Sequence, residues 1–534
     1  MAEQKKQSFL HGAALLALAT AIVKVIGALY KIPLNAILGT KGFAYFNTAY
    51  DIYSVLMMIS TAGLPVAMSR MISAASSLDN HAQMRRIYKT AQAIFLSICL
   101  PGALLMTGFA RQLAQFQQQP DAWAAIAALG PSVLMVGFIS AFRGFFQGQG
   151  NMIPTSVSQV MESSAKLVVG LAAAAALLSM TGQVSLAAGG AIFGVTSGCT
   201  VAAVYLFFLF RKAYQSLEKD RGEAESYGAA AKELLSIAIP ITIGSAGLQI
   251  ITLLEVKVYM TQLLATGFIQ DAADSMKGIY NMAQTIFNMP CAFINPITVS
   301  AIPAITSALT LKKHSAVRAT EESASRITAL ISMPCAFGLA TLAEPIMALL
   351  GGYTGEELVL ATRLMQILGF CVIFNSTVLL TNGIMQAHGN VVLPVVNMFI
   401  GGGMKLVSIY LLTGNPGLNI IGVPIGTVLC YLVITVLNLL AMNRSIAEPP
   451  HMIRNMLRPA LSGAVMAAAV MATHFGLSRV FTLGSTLGKL ILCGVPVMVG
   501  VVAYVVCVVM FKAITREDCM LLPKGEKIAK ILRL

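Results

Sequence analysis

Apolar residues in this chain neither alternate with polar ones nor keep to one helical face; they come in long unbroken runs. The runs fall at roughly 8–34, 43–76, 88–110, 121–147, 152–180, 184–211, 233–261, 276–308, 325–350, 358–385, 391–413, 418–442, 457–480 and 486–512. About 20 residues of helix cross a ~30 Å hydrocarbon core, so each run is long enough to span a bilayer. A membrane barrel would show a period of two. Backbone groups in lipid must find their partners within a helix or a closed barrel, so runs without that period predict helices. The pattern predicts an all-α integral membrane protein of about fourteen transmembrane helices.

Composition agrees: hydrophobic residues make up 57% of 534 positions, charged residues 11%, and the mean hydropathy is +0.78. The net charge of +14 raises the question of nucleic acid. The basic residues are not interleaved with aromatics; they flank the apolar runs, so no nucleic-acid partner is expected. With the N-terminus inside, the outer segments hold only Lys41, Arg111, Lys277, Arg363, Arg479 and Lys489, and the other flanking cations fall inside. A missed or extra span would invert that bias from there on, so both termini are predicted to be cytoplasmic. Met1–Lys6 and the run after it resemble a signal peptide but lack a small-residue cleavage site, and are read as a retained first span. Eight of the nine cysteines lie inside apolar runs, Cys519 lies in the tail, and the six histidines are scattered, so no metal site or cofactor is expected.

The chain repeats itself. Gly144-Phe-Phe-Gln-Gly-Gln-Gly-Asn151 returns as Gly383-Ile-Met-Gln-Ala-His-Gly-Asn390, an offset of 239 residues. Lys166-Leu-Val168 returns as Lys405-Leu-Val407 at the same offset, and Pro65–Ser69 loosely matches Pro303–Ser307. A repeat of six spans preserves orientation. It predicts two parallel six-helix lobes, 1–215 and 233–445, with a charged cytoplasmic linker at 216–232 and an appended pair of spans with a basic tail at 446–534. Two lobes around a cavity suit alternating access. No segment between runs is long enough for a catalytic domain, so an enzyme is not expected. The nearest approach to a phosphate-binding loop, Gly484-Ser-Thr-Leu-Gly-Lys-Leu490, lacks a spacer and has Leu where a hydroxyl must hold Mg²⁺.

Ionisable residues at membrane depth are expensive and are candidates for function. They are Lys24 and Lys31 in span 1, Asp51 and Arg70 in span 2, Glu162 and Lys166 in span 5, Glu255 and Lys257 in span 7, and Lys405 in span 11. Lys31 and Arg70 lie near span ends, where snorkelling to the headgroups competes with a cavity role. Lys24 has no acid within four positions, so its ammonium needs a partner from elsewhere or an anionic ligand. Glu162 and Lys166 have the spacing of an intrahelical pair, which competes with a cavity role; Lys405 repeats Lys166 with Gly401 in place of the acid. Glu255 and Lys257 diverge around their helix, so at least one faces another element. Asn281, Gln284, Asn288 and Asn295 share a face of span 8, either as interhelical glue or as a polar cavity wall. The Gly-Xaa-Xaa-Gln-Xaa-Xaa-Gly-Asn segments read as tight turns.

Arg143-Gly-Phe-Phe-Gln-Gly-Gln-Gly-Asn151 followed by Pro154–Glu162 resembles the polysaccharide-transporter branch of the multidrug/oligosaccharidyl-lipid/polysaccharide (MOP) exporter superfamily. Gly63–Ser69, Lys24-Val-Ile-Gly27 and Tyr30-Lys-Ile-Pro33 resemble its stage V sporulation protein B and MurJ-like group, and the likeness runs along essentially the whole chain. The resemblance implies a monomeric flippase for undecaprenyl-pyrophosphate-linked sugars, lipid II first, in the bacterial cytoplasmic membrane. It implies a cationic central cavity and a groove for the lipid tail near the last two spans. Lys24 matches the first cation of the span 1 pattern. Where the MurJ pattern continues with Arg-Asp this chain has Tyr30-Lys31, and Val55–Met58 is apolar where those proteins carry arginine. The cationic cavity would then be built from Lys24, Lys166, Lys257, Lys405 and Arg70, with Asp51, Glu162 or Glu255 available to Na⁺ or H⁺ coupling unless the membrane potential alone drives export. A cation-coupled drug exporter of the same superfamily is the alternative, disfavoured by the lysines of span 1.

Overall fold

The computed structural model describes residues 2–218, 222–390, 392–446, 448–515 and 518. Among them lie sixteen α-helices and no strand. The helices are α1 (Ala2–Thr61), α2 (Leu64–Ser77), α3 (His81–Gly108), α4 (Ala110–Phe116), α5 (Trp123–Gly148), α6 (Ile153–Thr181), α7 (Val184–Gln215) and α8 (Tyr227–Ala265). Then follow α9 (Gln270–Thr310), α10 (His314–Thr341), α11 (Ala343–Leu350), α12 (Gly355–Ala387), α13 (Val392–Thr413), α14 (Gly422–Ser445), α15 (Met452–Ser478) and α16 (Thr486–Met510).

Ten helical stretches of the described residues are long and apolar enough to cross a membrane, or eleven if α10 and α11, which meet at 80°, form one broken span. That is fewer than the fourteen expected. The first stretch, Val25–Ser77, covers parts of two expected spans, and α8 and α9, which carry the expected spans 7 and 8, are outside the ten. Where a loop was expected between spans 1 and 2, α1 runs on through Gly39, whose backbone (φ 65°, ψ −178°) is non-helical. A positive φ of this kind favours glycine, so one residue bends the chain. Large apolar side chains such as Leu104, Phe208 and Val502 are more than 60% exposed, as lipid-facing positions should be.

Contacts divide the chain into two units, 1–278 and 279–534, and the division falls inside α9. In the first unit the start of α3 holds the expected linker. Arg85 donates to the carbonyls of Tyr214 and Leu217, Asn80 Nδ2 donates to Glu223 O at 2.7 Å, and the N–H of Glu225 donates to Gln83. Asn80 also caps α3 by accepting from Gln83 N at 2.9 Å, a contact worth about 1 kcal/mol.

The two halves share local geometry. The turns after α5 and α12 place Gly150 (φ 77°) and Gly389 (φ 84°) in the left-handed region. Asn151 N then donates to Phe146 O, and Asn390 N to Met385 O. Helices α3 and α10 both have 28 residues, each with a proline at its twenty-first position, Pro101 and Pro334. A Cβ on Gly130 of α5 would press on Ala103 O and Thr107 of α3. One on Gly369 of α12 would press on Ala336 O and Ala340 of α10. The helix pair is packed in the same register in both halves.

Candidate functional site

The interior of the first unit gathers most of the charges that the sequence places at membrane depth. Close packing of α6 on α7 positions two of them. Gly190, Gly194 and Gly198 recur every fourth residue on α7, and a Cβ on any of them would overlap the α6 backbone at Ala173, Gly170 or Glu162. Small residues at this spacing let helices approach closely without a hydrophobic drive between them. The contact fixes where Glu162 and Lys166 emerge from α6.

They do not pair with one another. Glu162 accepts from Arg143 Nη2 at 2.9 Å, and Arg143 Nε donates to Ser158 Oγ at 3.0 Å, so the planar guanidinium ties α5 to α6. Lys166 Nζ instead donates to Tyr50 Oη at 2.5 Å and lies 4.6 Å from the Tyr50 ring centre and 5.2 Å from that of Tyr30. Tyr30 is held by its own hydroxyl, which donates to Ala191 O at 3.0 Å. Among the described residues Lys166 has no carboxylate partner. Its charge rests on a phenol oxygen and two aromatic faces, which attract a cation without neutralising it.

A second centre lies beside Tyr50 on α1, at Thr48 and Asp51. Lys277, at the start of α9, is completely buried. Its ammonium donates to Thr48 Oγ1 at 2.5 Å and Gln119 Oε1 at 3.0 Å, and lies 3.6 Å from Asp51 Oδ2. Gln119 is buried and follows Gln118, whose φ is 57°. Its amide donates to Asp274 Oδ1 at 2.8 Å, which also accepts from Gln270 at 2.9 Å. Lys41 and Asp271 close the outer rim at 2.7 Å. The network thus ties the start of α9 to α1 and to the connection before α5.

Of the remaining predicted residues, Lys31 lies within electrostatic range of Asp51 and Lys166, and Glu255 within range of Asp51; the others are dispersed. Lys31 donates to Asn47 Oδ1 at 3.4 Å. Lys257 sits 3.7 Å over the Phe116 ring, Glu255 is buried on α8, and Arg70 is exposed. In the second unit Lys405 is half-buried, within electrostatic range of Cys371 and Tyr431. Of the span 8 amides Asn281 is buried, Gln284 half-buried and Asn288 exposed. The side chains of Lys24 and Asn295 and the basic tail beyond 518 lie outside the described residues. Sequence reading missed Lys277, Thr48, Gln119, Asp274 and the Arg143–Glu162 pair. The one available signal was Asp274-Xaa-Xaa-Lys277, an acid and a base one helical turn apart at the mouth of an apolar run.

Comparison with known proteins adds the following. The family pattern described as "Polysaccharide biosynthesis protein" matches residues 9–309, and a second pattern of the same description matches 271–359. The chain is 25% identical over 535 residues to "Uncharacterized membrane protein YabM" of Bacillus subtilis (strain 168), covering 99% of this chain and 97% of that one. It is 24% identical to "Stage V sporulation protein B" of the same organism (81% and 83% covered) and 23% identical to its "Lipid II flippase MurJ" (74% and 76%). Among solved structures, lipid II flippase MurJ in an inward closed conformation aligns with a TM-score of 0.67 at 15% identity, over 93% of this chain and 98% of that one. An inward-facing MATE transporter of the MOP superfamily aligns at 0.66 and 14% identity, over 81% and 94%.

Proposed function

Because the chain belongs to the polysaccharide biosynthesis protein family, we propose that it is an alternating-access flippase for an undecaprenyl-pyrophosphate-linked sugar, lipid II first among them. It carries the sugar from the inner to the outer leaflet of the bacterial cytoplasmic membrane for cell-wall or polysaccharide synthesis. It works as a monomer with both termini in the cytoplasm, and it is a transporter rather than an enzyme. The observation that carries this reading is Lys166, a half-buried ammonium held by tyrosines instead of a carboxylate. A pyrophosphate entering the interior would find a cation whose charge is not already cancelled. Lysine meets phosphate as a point charge and needs no fork geometry. Lys24, Lys257, Lys405 and Arg70 complete the cationic path in this reading, with Asn281, Gln284, Asn288 and Asn295 facing the sugar.

The driving force follows from charge. An inside-negative potential favours outward movement of an anion by about 2.3 kcal/mol per charge per 100 mV across the full field. Asp51 and Glu162 are each engaged by a cation, Lys277 and Arg143. Coupling to Na⁺ or H⁺ at either would first have to break that pair. Drug export is the second reading, favoured by the structural likeness to MATE transporters. A buried lysine centre opposes it, since it repels organic cations.

Complementation tests the proposal. An essential lipid II flippase is depleted in a bacterial host and this chain is supplied. Growth is expected with the wild type and lost with Lys166→Met or Lys24→Ala at equal membrane abundance. Failure of the wild type despite confirmed insertion removes lipid II as substrate. Rescue by both variants removes the lysine site.

A further inference from the structure

The packing of α10 on α12 in the second unit repeats that of α3 on α5 in the first, but the residues between them differ in kind. On α3 the inward face reads Tyr88, Gln92, Phe95 and Cys99. At the same four places α10 carries Glu321, Ser325, Thr328 and Ser332. Tyr88 stacks on Phe210 at 4.2 Å and meets Phe145 edge-on, so this interface is satisfied by aromatic packing in one half. The polar face of the other half is therefore not demanded by the helix pair. It is bought at the expense of that packing.

Glu321, Ser325, Thr328 and Ser332 are 0%, 1%, 2% and 0% exposed. Glu321 Oε1 lies 2.7 Å from His388 Nε2, and His388 stands in the turn where the first half has Gln149. Glu321 Oε2 and the three hydroxyls have no hydrogen-bond partner among the described residues. One orphaned buried polar atom costs about 1–3 kcal/mol, so four on one helical face call for an occupant. Apolar side chains enclose this end of α10: Leu380, Ile384 and Met385 from α12, Met442 and Ile446 near the end of α14, and Met452 from α15. The other charges nearby are committed elsewhere. Arg318 pairs with Glu322 and Glu448 and meets His451, and Arg326 pairs with Asp518.

We propose that Glu321 and His388 form a buried proton-binding site, extended along α10 by the hydroxyls of Ser325, Thr328 and Ser332. With one proton on Nε2 shared toward Oε1, the pair carries one negative charge in an apolar surround. Uptake of one further proton neutralises it, leaving Oε2–H free to donate toward Ser325. Successive hydroxyls rise ~4.5–6 Å along the helix, about twice a hydrogen bond, so one bridging water between neighbours completes the track. Each hydroxyl accepts one proton and releases its own. A metal cation fits less well, because the four positions extend over three helical turns and cannot converge on one ion. The site is independent of the substrate reading above.

Infrared difference spectroscopy across pH steps, on the full chain in lipid nanodiscs, tests this. The wild type should show a titrating carboxylic C=O band that Glu321→Gln removes. His388→Gln, which installs the residue of the first half, should move the pH at which the band appears. A Ser325→Ala/Thr328→Val/Ser332→Ala variant should keep the band but slow its exchange in D₂O severalfold. An unchanged spectrum in Glu321→Gln overturns the proposal. So does a wild-type band abolished by Na⁺ in place of choline, which would mark a metal site. If Glu321→Gln fails to fold, the other two variants decide, and wild-type titration and exchange in both overturns it.

Discussion

Lys277 and Lys166, one buried and one half-buried, show two different ways of holding an interior ammonium. Lys277 has two neutral acceptors and a carboxylate, and it sits at zero exposure. Removing one partner of a buried pair costs about 3–5 kcal/mol, because the other charge is left behind. Lys277→Met is therefore expected to lower thermal stability in detergent by that order, and Lys277→Met with Asp51→Asn to recover part of the loss in a double-mutant cycle. Lys166 and Asp51 were legible in the sequence because they lie well inside apolar runs. Lys277 was not, since it begins its run, where a lysine usually anchors the span to the headgroups. The i, i+4 rule assigns Glu162 to Lys166, but it sees only one helix, and Arg143 comes from another.

At the scale of elements, the glycine face of α7 does the positioning. Gly194→Leu is expected to force α6 away, displace Lys166 from Tyr50 and abolish complementation. A fall in thermal stability should accompany it, larger than for leucine at exposed Gly403, beside which a Cβ meets nothing within 4 Å. The run lengths made the helices legible, and the Gly-rich turns at 150 and 389 were readable from residue type alone. The join at Gly39 was not: 35–42 is a weak point between two apolar runs, and only the backbone distinguishes a one-residue bend from a loop.

Across the whole molecule, Arg85 and Arg318 occupy equivalent places on α3 and α10, and each holds a connection. Arg85 holds the linker, whereas Arg318 meets Glu448 and His451 before α15. About two turns further on, Arg326 takes the carboxylate of Asp518, beyond α16, at 2.8 Å. Burial pushes the Asp518 carboxyl up, but hydrogen bonds from Arg326, Ser323 and the Thr515 backbone outweigh it and hold the group below the usual carboxylate range. A depressed folded value means that this stabilisation is complete above the unfolded value of about 3.9 and is lost as pH falls below it. Limited proteolysis of the segment after α16 is thus expected to accelerate in Arg326→Ala at neutral pH, and in the wild type only in strong acid. The repeat was visible where the turn residues and Lys166 recur at offset 239. Its extension to α3 and α10 was hidden, because Pro101 and Pro334 are 233 apart and the register shifts between them and the turns.

The first unit ends at residue 278, and its last contribution is the Lys277 network and Gly278, whose missing Cβ leaves room for the Thr40 carbonyl. A nascent chain that has released only α1 to α8 lacks the ammonium that Thr48 and Gln119 accept from. Completion of the first unit's network must therefore wait until the ribosome has passed the start of α9, and the unit closes late. Arrest-peptide force measurements should record that closure as a step when Lys277 enters the bilayer, and Lys277→Met should erase it.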